Sequence, residues 1–297
     1  MIINDIHHHV ATAPTTFGAG YTFDVFLRER NMIQGATVLF ILPNYNHLYP
    51  CPSDHHYKVV PKEDRIHELI FRCCNCGNIS YEGKDPYRND NEFLINLCKD
   101  NPNVYPFIYL TLCESTIESE FQYFREHYER DFYGIKVHPN LCCKKISEIS
   151  FNSKFPIIIH AGMQPEDNPD DIIKFAENYE GNVLIAHMAR CSIKTLKKIK
   201  EIPNIFVDTS PTYLASQICN RFTSRYYPSE QFDLNTVSDV FKRLIELVGV
   251  EKVIFGSDAP FGSLNESIKL YNELTLSKEM INAVFETNFN KFISKLK

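Results

Sequence analysis

Two hydrophobic periods take turns along this chain. Short runs rich in Ile, Val, Leu and Phe cover 2–7, 37–42, 104–110, 133–138, 156–160, 183–187, 204–208 and 252–257. Near-continuous apolar runs of this length read as strands buried on both faces of a parallel sheet. Between them lie amphipathic stretches at helical spacing, over 23–34, 63–73 with 90–99, 115–130, 168–179, 192–201, 235–248 and 264–275, and a last one over 278–295. Strand followed by helix, eight times over, predicts right-handed parallel crossovers closing into an α/β fold, a (β/α)8 TIM barrel. The whole of 1–297 is expected to be one barrel domain, since roughly 250 residues plus insertions is the usual size of that fold.

The spacing between strands is uneven. About 60 residues separate the second strand from the third and more than about 40 the seventh from the eighth, and loops that long inside a compact domain usually carry function. The segment 44–90 is expected to be an insert over the C-terminal face, where loops leaving the strands build the pocket of a barrel. The fourth crossover, LCCKKISEISFNSK, is short, so its helix should be stunted.

Polar residues with metal-binding chemistry sit at the ends of four of the apolar runs: MIINDIHHH, FPIIIHAG, NVLIAHM and KVIFGSDAP. His7 and His9 are two apart on a strand, so both face one way and His8 the other. Such a pair at a barrel mouth suits one divalent ion. His160 and His187 each end an apolar strand, where a lone histidine is also compatible with a purely structural place. Asp258 follows VIFGS; a carboxylate there is costly to bury unless paired or on a metal, or it caps a helix. All five at strand ends point to one shared site. Lys136 and His138 share parity on the fourth strand and should also face inward. They read as substrate contacts, with an ion pair from Lys136 to Asp208 or Asp5 as the structural alternative. Arg190 is either a clamp for a substrate carboxylate or a solvated residue leading into a helix. Thr209 and Ser210 either hydrogen-bond near the site or cap a helix.

Composition narrows the partners. A formal net charge of −6 gives no basic footprint for nucleic acid. No apolar run approaches the roughly 20 residues needed to span a bilayer. The start MIINDIHHHV has an acid and no basic region, unlike a signal peptide. A cytoplasmic enzyme acting on a small molecule is expected, with a homodimer as an option for its assembly. Ten cysteines among 297 residues are too few for a disulfide scaffold, so reduced thiols are expected. Cys73 and Cys76 form one C-x-x-C in the insert, near Cys51, His55, His56, His67 and Cys74, but no second pair follows at zinc-site spacing. These thiols read as small packing groups. Tyr45, His55, His56 and Tyr57 are placed near the pocket, with Tyr213, Phe222, Tyr226 and Tyr227 on its opposite wall.

IINDIHHHV, YGIKVHP, PIIIHAG, VLIAHMAR, IFVDTSP and VIFGSDAPFG together resemble the amidohydrolase superfamily, in its amidohydrolase-related ("amidohydrolase 2") branch. The resemblance spans nearly the whole chain. It implies a site for one divalent ion, zinc or another such as manganese, held by His7, His9, His160 and Asp258. It also implies His187 beside the ion as a catalytic residue and Asp258 as the base that takes a proton from water. A lysine on the fourth strand of binuclear relatives is carbamylated and bridges two ions, which is an alternative for Lys136. The leading reading is a metal-dependent hydrolase of a lactone, ester or amide. The alternatives are a metal-dependent decarboxylase of an aromatic acid, a metal-dependent deoxyribonuclease or phosphoesterase, and a barrel that binds without catalysing. Against the nuclease stand Lys136, where that branch tends to place an acid, and the acidic net charge.

Overall fold

In the computed structural model of the chain, the described residues are 2–11, 21–42, 57–62, 65–73, 76–83, 85–113, 116–228, 234–271 and 273–294. Its strands are β1 (Asp5–Val10), β2 (Thr37–Ile41), β3 (Tyr57–Lys62), β4 (Arg65–Cys73), β5 (Ile79–Gly83), β6 (Val104–Tyr109), β7 (Gly134–Val137), β8 (Ile157–Ile159), β9 (Val183–Ile185), β10 (Ile205–Asp208) and β11 (Val253–Ile254). Its helices are α1 (Phe23–Arg30), α2 (Arg88–Cys98), α3 (Ile117–Tyr128), α4 (Pro169–Ala176), α5 (Ile193–Glu201), α6 (Ala215–Tyr226), α7 (Val237–Val248), α8 (Leu264–Tyr271), α9 (Lys278–Asn282) and α10 (Asn288–Ile293).

β1, β2 and β6 through β11 pair in parallel in that order, and each falls inside or beside a predicted apolar run. The ring closes between its first and last members: Ile6 N donates to Phe255 O at 3.1 Å, Asp258 N to His7 O at 2.8 Å and His9 N to Ala259 O at 2.8 Å. This is the predicted barrel with helices between its strands. Ile6, Val38, Phe40, Phe107, Ile158, Leu184, Phe206 and Ile254 fill its interior, all without solvent exposure. β1 carries a bulge. Asp5 pairs with Thr37 but His8 with Leu39, so one extra residue sits between them. An extra residue resets which side chains face inward, and here both Ile6 and His7 contribute to the interior.

The N-terminal end of the barrel is sealed by α10. Phe292 stacks on Phe107 with centroids 6.4 Å apart and meets Phe206 edge-on at 5.7 Å. Asn182 Nδ2 donates to Phe292 O at 2.8 Å and Asn288 Nδ2 to Val253 O at 2.8 Å, tying the helix to two strand starts. Phe107, Phe206, Phe289 and Phe292 are all fully buried.

Four expectations are corrected. The stretch 63–73 is not a helix: β4 is the middle of an antiparallel sheet with β3 and β5. Its burial alternates, with Leu69, Phe71 and Cys73 inside and Arg72 out, which is the period of a strand. Those residues, with Val59, share a core with Val10, Leu39 and Ile41 of the barrel. The long connection after β10 contains α6. The last helix is split into α9, a wider turn over Ala283–Thr287, and α10. The thiols are not all reduced: Cys113 bonds to Cys143 and Cys191 to Cys219, while Cys73, Cys98 and Cys142 are free among the described residues. Each bridged pair lies about 30 residues apart in sequence, and the fold brings its Cα atoms to 5.1 and 5.6 Å, within disulfide reach. The short fourth crossover has two single 3-10 turns, Pro139–Leu141 and Ile146–Glu148, and no α-helix, as expected. No helix of the described residues is long and apolar enough to cross a membrane.

Candidate metal centre at the barrel mouth

Strand ends bring the polar residues together. His7 Nε2 and His9 Nε2 each lie 3.3 Å from Asp258 Oδ1, and His187 Nδ1 lies 3.9 Å from Asp258 Oδ2. The ligand-type atoms of His7, His187 and Asp258 all fall within 4.8 Å of one another, the one such group among the described residues. Parity holds: His8 turns away, with Nδ1 2.9 Å from Asp5 Oδ2 and Nε2 2.9 Å from the Tyr21 hydroxyl, which donates to Glu29. Phe40 meets His7 and His9 edge-on at 5.1 and 4.4 Å and forms the floor under them.

Two close approaches make this convergence feasible. A Cβ on Gly256 would sit 3.0 Å from His7 Cβ and 3.1 Å from Ser210 Cβ. Glycine therefore lets the end of β11 come against β1. Asp258 itself adopts φ of 58°, and His187 through Cys191 form five successive left-handed residues with φ between 47° and 56°. None is glycine, and each such residue costs roughly 1–2 kcal/mol. That run is held at both ends, by a hydrogen bond from His187 N to Asp208 Oδ1 at 2.8 Å and by the Cys191–Cys219 bond. Strain concentrated this way is typical of functional positions.

Asp208, which the sequence offers only as an ion partner for Lys136, has a larger role in the structure. Its Oδ2 accepts from His7 Nδ1 at 2.7 Å and from Ser210 Oγ at 2.9 Å. That assigns the proton of His7 to Nδ1 and leaves Nε2 as a lone-pair donor facing Asp258. Ser210 Oγ also lies 3.0 Å from His7 Nδ1 and 3.2 Å from His187 Nδ1, so Ser210 belongs to the site rather than to a helix cap. Asp5 braces the end of β11 beside β1, accepting from Ser257 N at 2.9 Å and Ser257 Oγ at 2.6 Å. Both acids end or interrupt apolar strands, in IFVDTSP and MIINDIH, the same signal that singled out Asp258.

His160 stands one ring further out. Its Nδ1 is 2.9 Å from His187 Nε2, its Nε2 is 3.8 Å from Asp167 Oδ2, and it stacks on His138 at 4.1 Å. It reaches the cluster through His187 rather than directly. Lys136 and His138 do point inward. The Lys136 ammonium lies 4.7 Å over the Phe40 ring and is fully buried. Neither Lys136 Nζ nor His138 Nε2 has a hydrogen-bond partner. Arg190 is not solvated. It is buried, donates from Nε to Gly162 O at 2.5 Å and from its terminal nitrogen to Gln164 O, and lies 4.5 Å over Tyr226. Tyr226 in turn donates to Met163 O, and Phe222 is buried. Tyr45, Cys51, His55, His56 and Cys74 lie outside the described residues, as do the side chains of Tyr57 and His67.

Burial sets the electrostatics. Desolvation, aided by Lys136 and neighbouring imidazoles, holds His7, His9, His138 and His160 well below the usual histidine range, and His187 is brought down to about 4. Desolvation likewise raises Asp258 to about 6 and Asp167 and Asp208 to about 7. Lys136 is lowered to about 8 by desolvation, against the pull of Asp208 and Asp258. The donor set suits a divalent ion: neutral imidazoles with one carboxylate are the ligands of zinc, manganese and iron sites. His7 Nε2 is buried with no hydrogen-bond partner, as a metal-ligating nitrogen would be.

The amidohydrolase family model matches residues 144–292, half of the chain. No curated protein matches. Several solved structures share the fold. A Pseudomonas putida protein described as a candidate 2-pyrone-4,6-dicarboxylic acid hydrolase is 11% identical, with TM-score 0.61 over 99% of this chain and 98% of that one. A dihydroxybenzoic acid decarboxylase from Polaromonas sp. JS666, with bound manganese and the inhibitor 2-nitroresorcinol, is 10% identical, with TM-score 0.59 over 100% and 98%. An amidohydrolase from Burkholderia multivorans with bound HEPES is 10% identical, with TM-score 0.56 over 99% of each chain.

Proposed function

Because the chain belongs to the amidohydrolase family, an enzyme family, we propose that it is a metal-dependent hydrolase of a small lactone, ester or amide. The observation that carries this reading is the convergence of His7 Nε2, His9 Nε2 and His187 on the Asp258 carboxylate. In this reading His7, His9 and Asp258 would hold one divalent ion, zinc or manganese, and His160 would join them as a ligand once its Nδ1 leaves His187 Nε2. When bound, such an ion lowers the pKa of a water from 15.7 toward about 7 and polarises a carbonyl. Asp258 accepts the proton of the attacking water. His187 places its ring beside Asp258 and steadies the charge that develops on the substrate oxygen. Asp208 keeps His7 in the tautomer that presents Nε2. The left-handed run after β9 keeps the His187 ring at the mouth instead of along the strand.

A second reading, decarboxylation of an aromatic acid, uses the same residues, and the unpartnered Lys136 ammonium favours it as a place for a carboxylate. Metal analysis of the purified protein tests both: about one divalent ion per chain is expected, lost in His9→Ala. No bound metal under metal-replete conditions would refute the site. Lactones, aryl esters and hydroxybenzoates, followed by absorbance and by CO₂ release, divide the two reactions.

A further inference from the structure

We propose that Lys136 Nζ and His138 Nε2 form an anion subsite, so that the substrate of this centre carries a carboxylate, on a lactone, ester or amide or as an aromatic acid, rather than being uncharged. The inference deepens the proposed function and rests on it. Both atoms are buried at the end of β7, on inward-facing positions two residues apart, and both lack any hydrogen-bond partner. A buried ammonium with no carboxylate in contact is costly, and Asp208 and Asp258 act on this one only from beyond hydrogen-bond distance.

The neighbouring carboxylates cannot fill that role. Asp208 spends Oδ2 on His7 Nδ1 and Ser210 Oγ, and Oδ1 on the His187 and Ser210 backbone amides. Asp258 Oδ1 is shared between His7 and His9. No carboxylate of the described residues comes within ion-pair distance of Lys136. The Phe40 ring lies beneath the amine and also beneath His7 and His9. An anion on Lys136 is therefore placed next to the ion site without occupying it. His138 stacks flat on His160, which fixes its ring and leaves Nε2 as the second donor or acceptor for the same group.

Benzoate and its neutral isostere benzamide serve as probes, titrated into the purified metal-loaded protein by calorimetry. Benzoate is expected to bind at least tenfold more tightly. Lys136→Met should abolish that preference with the metal content unchanged, and His138→Phe should reduce it. Lys136→Met should also raise the melting temperature, because an apolar isostere replaces an unpaired buried charge. Equal binding of the two probes by the native protein overturns the subsite. So does an unchanged preference in Lys136→Met, which would put the anion on the metal alone. Two ions per chain, one of them lost in Lys136→Met, would assign the lysine to metal binding instead. Absence of any bound ion defeats the proposed function rather than the subsite, which benzoate titration of that same metal-free protein then decides.

Discussion

On the β1 and β10 flank of the barrel mouth the polar groups are held from behind: His7 by Asp208 and Ser210, the His187 amide by Asp208, and Ser257 by Asp5. On the β7 flank, a few ångströms away across Phe40, Lys136 and His138 have no such support. Both flanks are equally dry, so solvation does not explain the contrast. Hydrogen bonds from behind fix a ring's tautomer and direction before any ligand arrives, which is what a metal ligand needs. Leaving a donor unpaired stores an interaction for something that comes and goes. The difference separates what the protein keeps from what it exchanges.

The largest break in that contrast is Asp258→Asn. It removes the carboxylate on which the supported flank converges, the proposed proton acceptor, and turnover should fall by about 10²–10⁴-fold, measured as kcat on whichever substrate the panel identifies. Asp208→Asn comes next. Its amide would donate to His7 Nδ1, move the proton of His7 to Nε2 and take that nitrogen away from the ion. Divalent-ion affinity should drop about 10–100-fold in a chelator competition, with Asp208→Glu recovering part of it. Unchanged affinity would show that the support is packing alone. Gly256→Ala forces His7 and Ser210 apart by a few tenths of an ångström. It should cost about 1–3 kcal/mol of stability, and a thermal melt checks whether added metal restores less than it does in the native protein.

The smallest effect concerns a carboxylate supported by neutral donors only. Asp85 accepts from the Tyr87 and Thr111 amides, and burial raises it to about 7. Its folded value lies above the unfolded one, so the native state binds the extra proton and loses stability as pH rises from about 4 to 7. Asp85→Asn cannot titrate. Its melting temperature relative to the native protein should climb across that window and level off above it. A flat difference would mean that Asp85 is ionised throughout.

All eight barrel strands were legible because a strand covered on both faces has little choice of composition. The five strand-end residues were legible because polar groups are expensive there. The same logic would have elevated Asp208 and Asp5, yet an acid amid apolar residues does not reveal whether it faces a ligand or braces a histidine. The direction of His160, toward His187 and Asp167, depends on a rotamer and on Gly162 beside it, neither of which a sequence pattern encodes. β4 was misread because RIHELIFRC carries good helix formers, and only its pairing with β3 and β5 decides between the periods. The cysteine bridges join segments of neighbouring crossovers, Cys219 from within α6, and such pairings follow from the closed ring rather than from spacing.

The aromatic seal that α10 makes across the far end of the barrel bears on traffic. With Phe107, Phe206, Phe289 and Phe292 filling that end, the described residues leave the barrel mouth as the doorway for both substrate and product. Product must depart before the next substrate enters, so product inhibition should be competitive, and slow release through the doorway would cap turnover however fast the bond is broken.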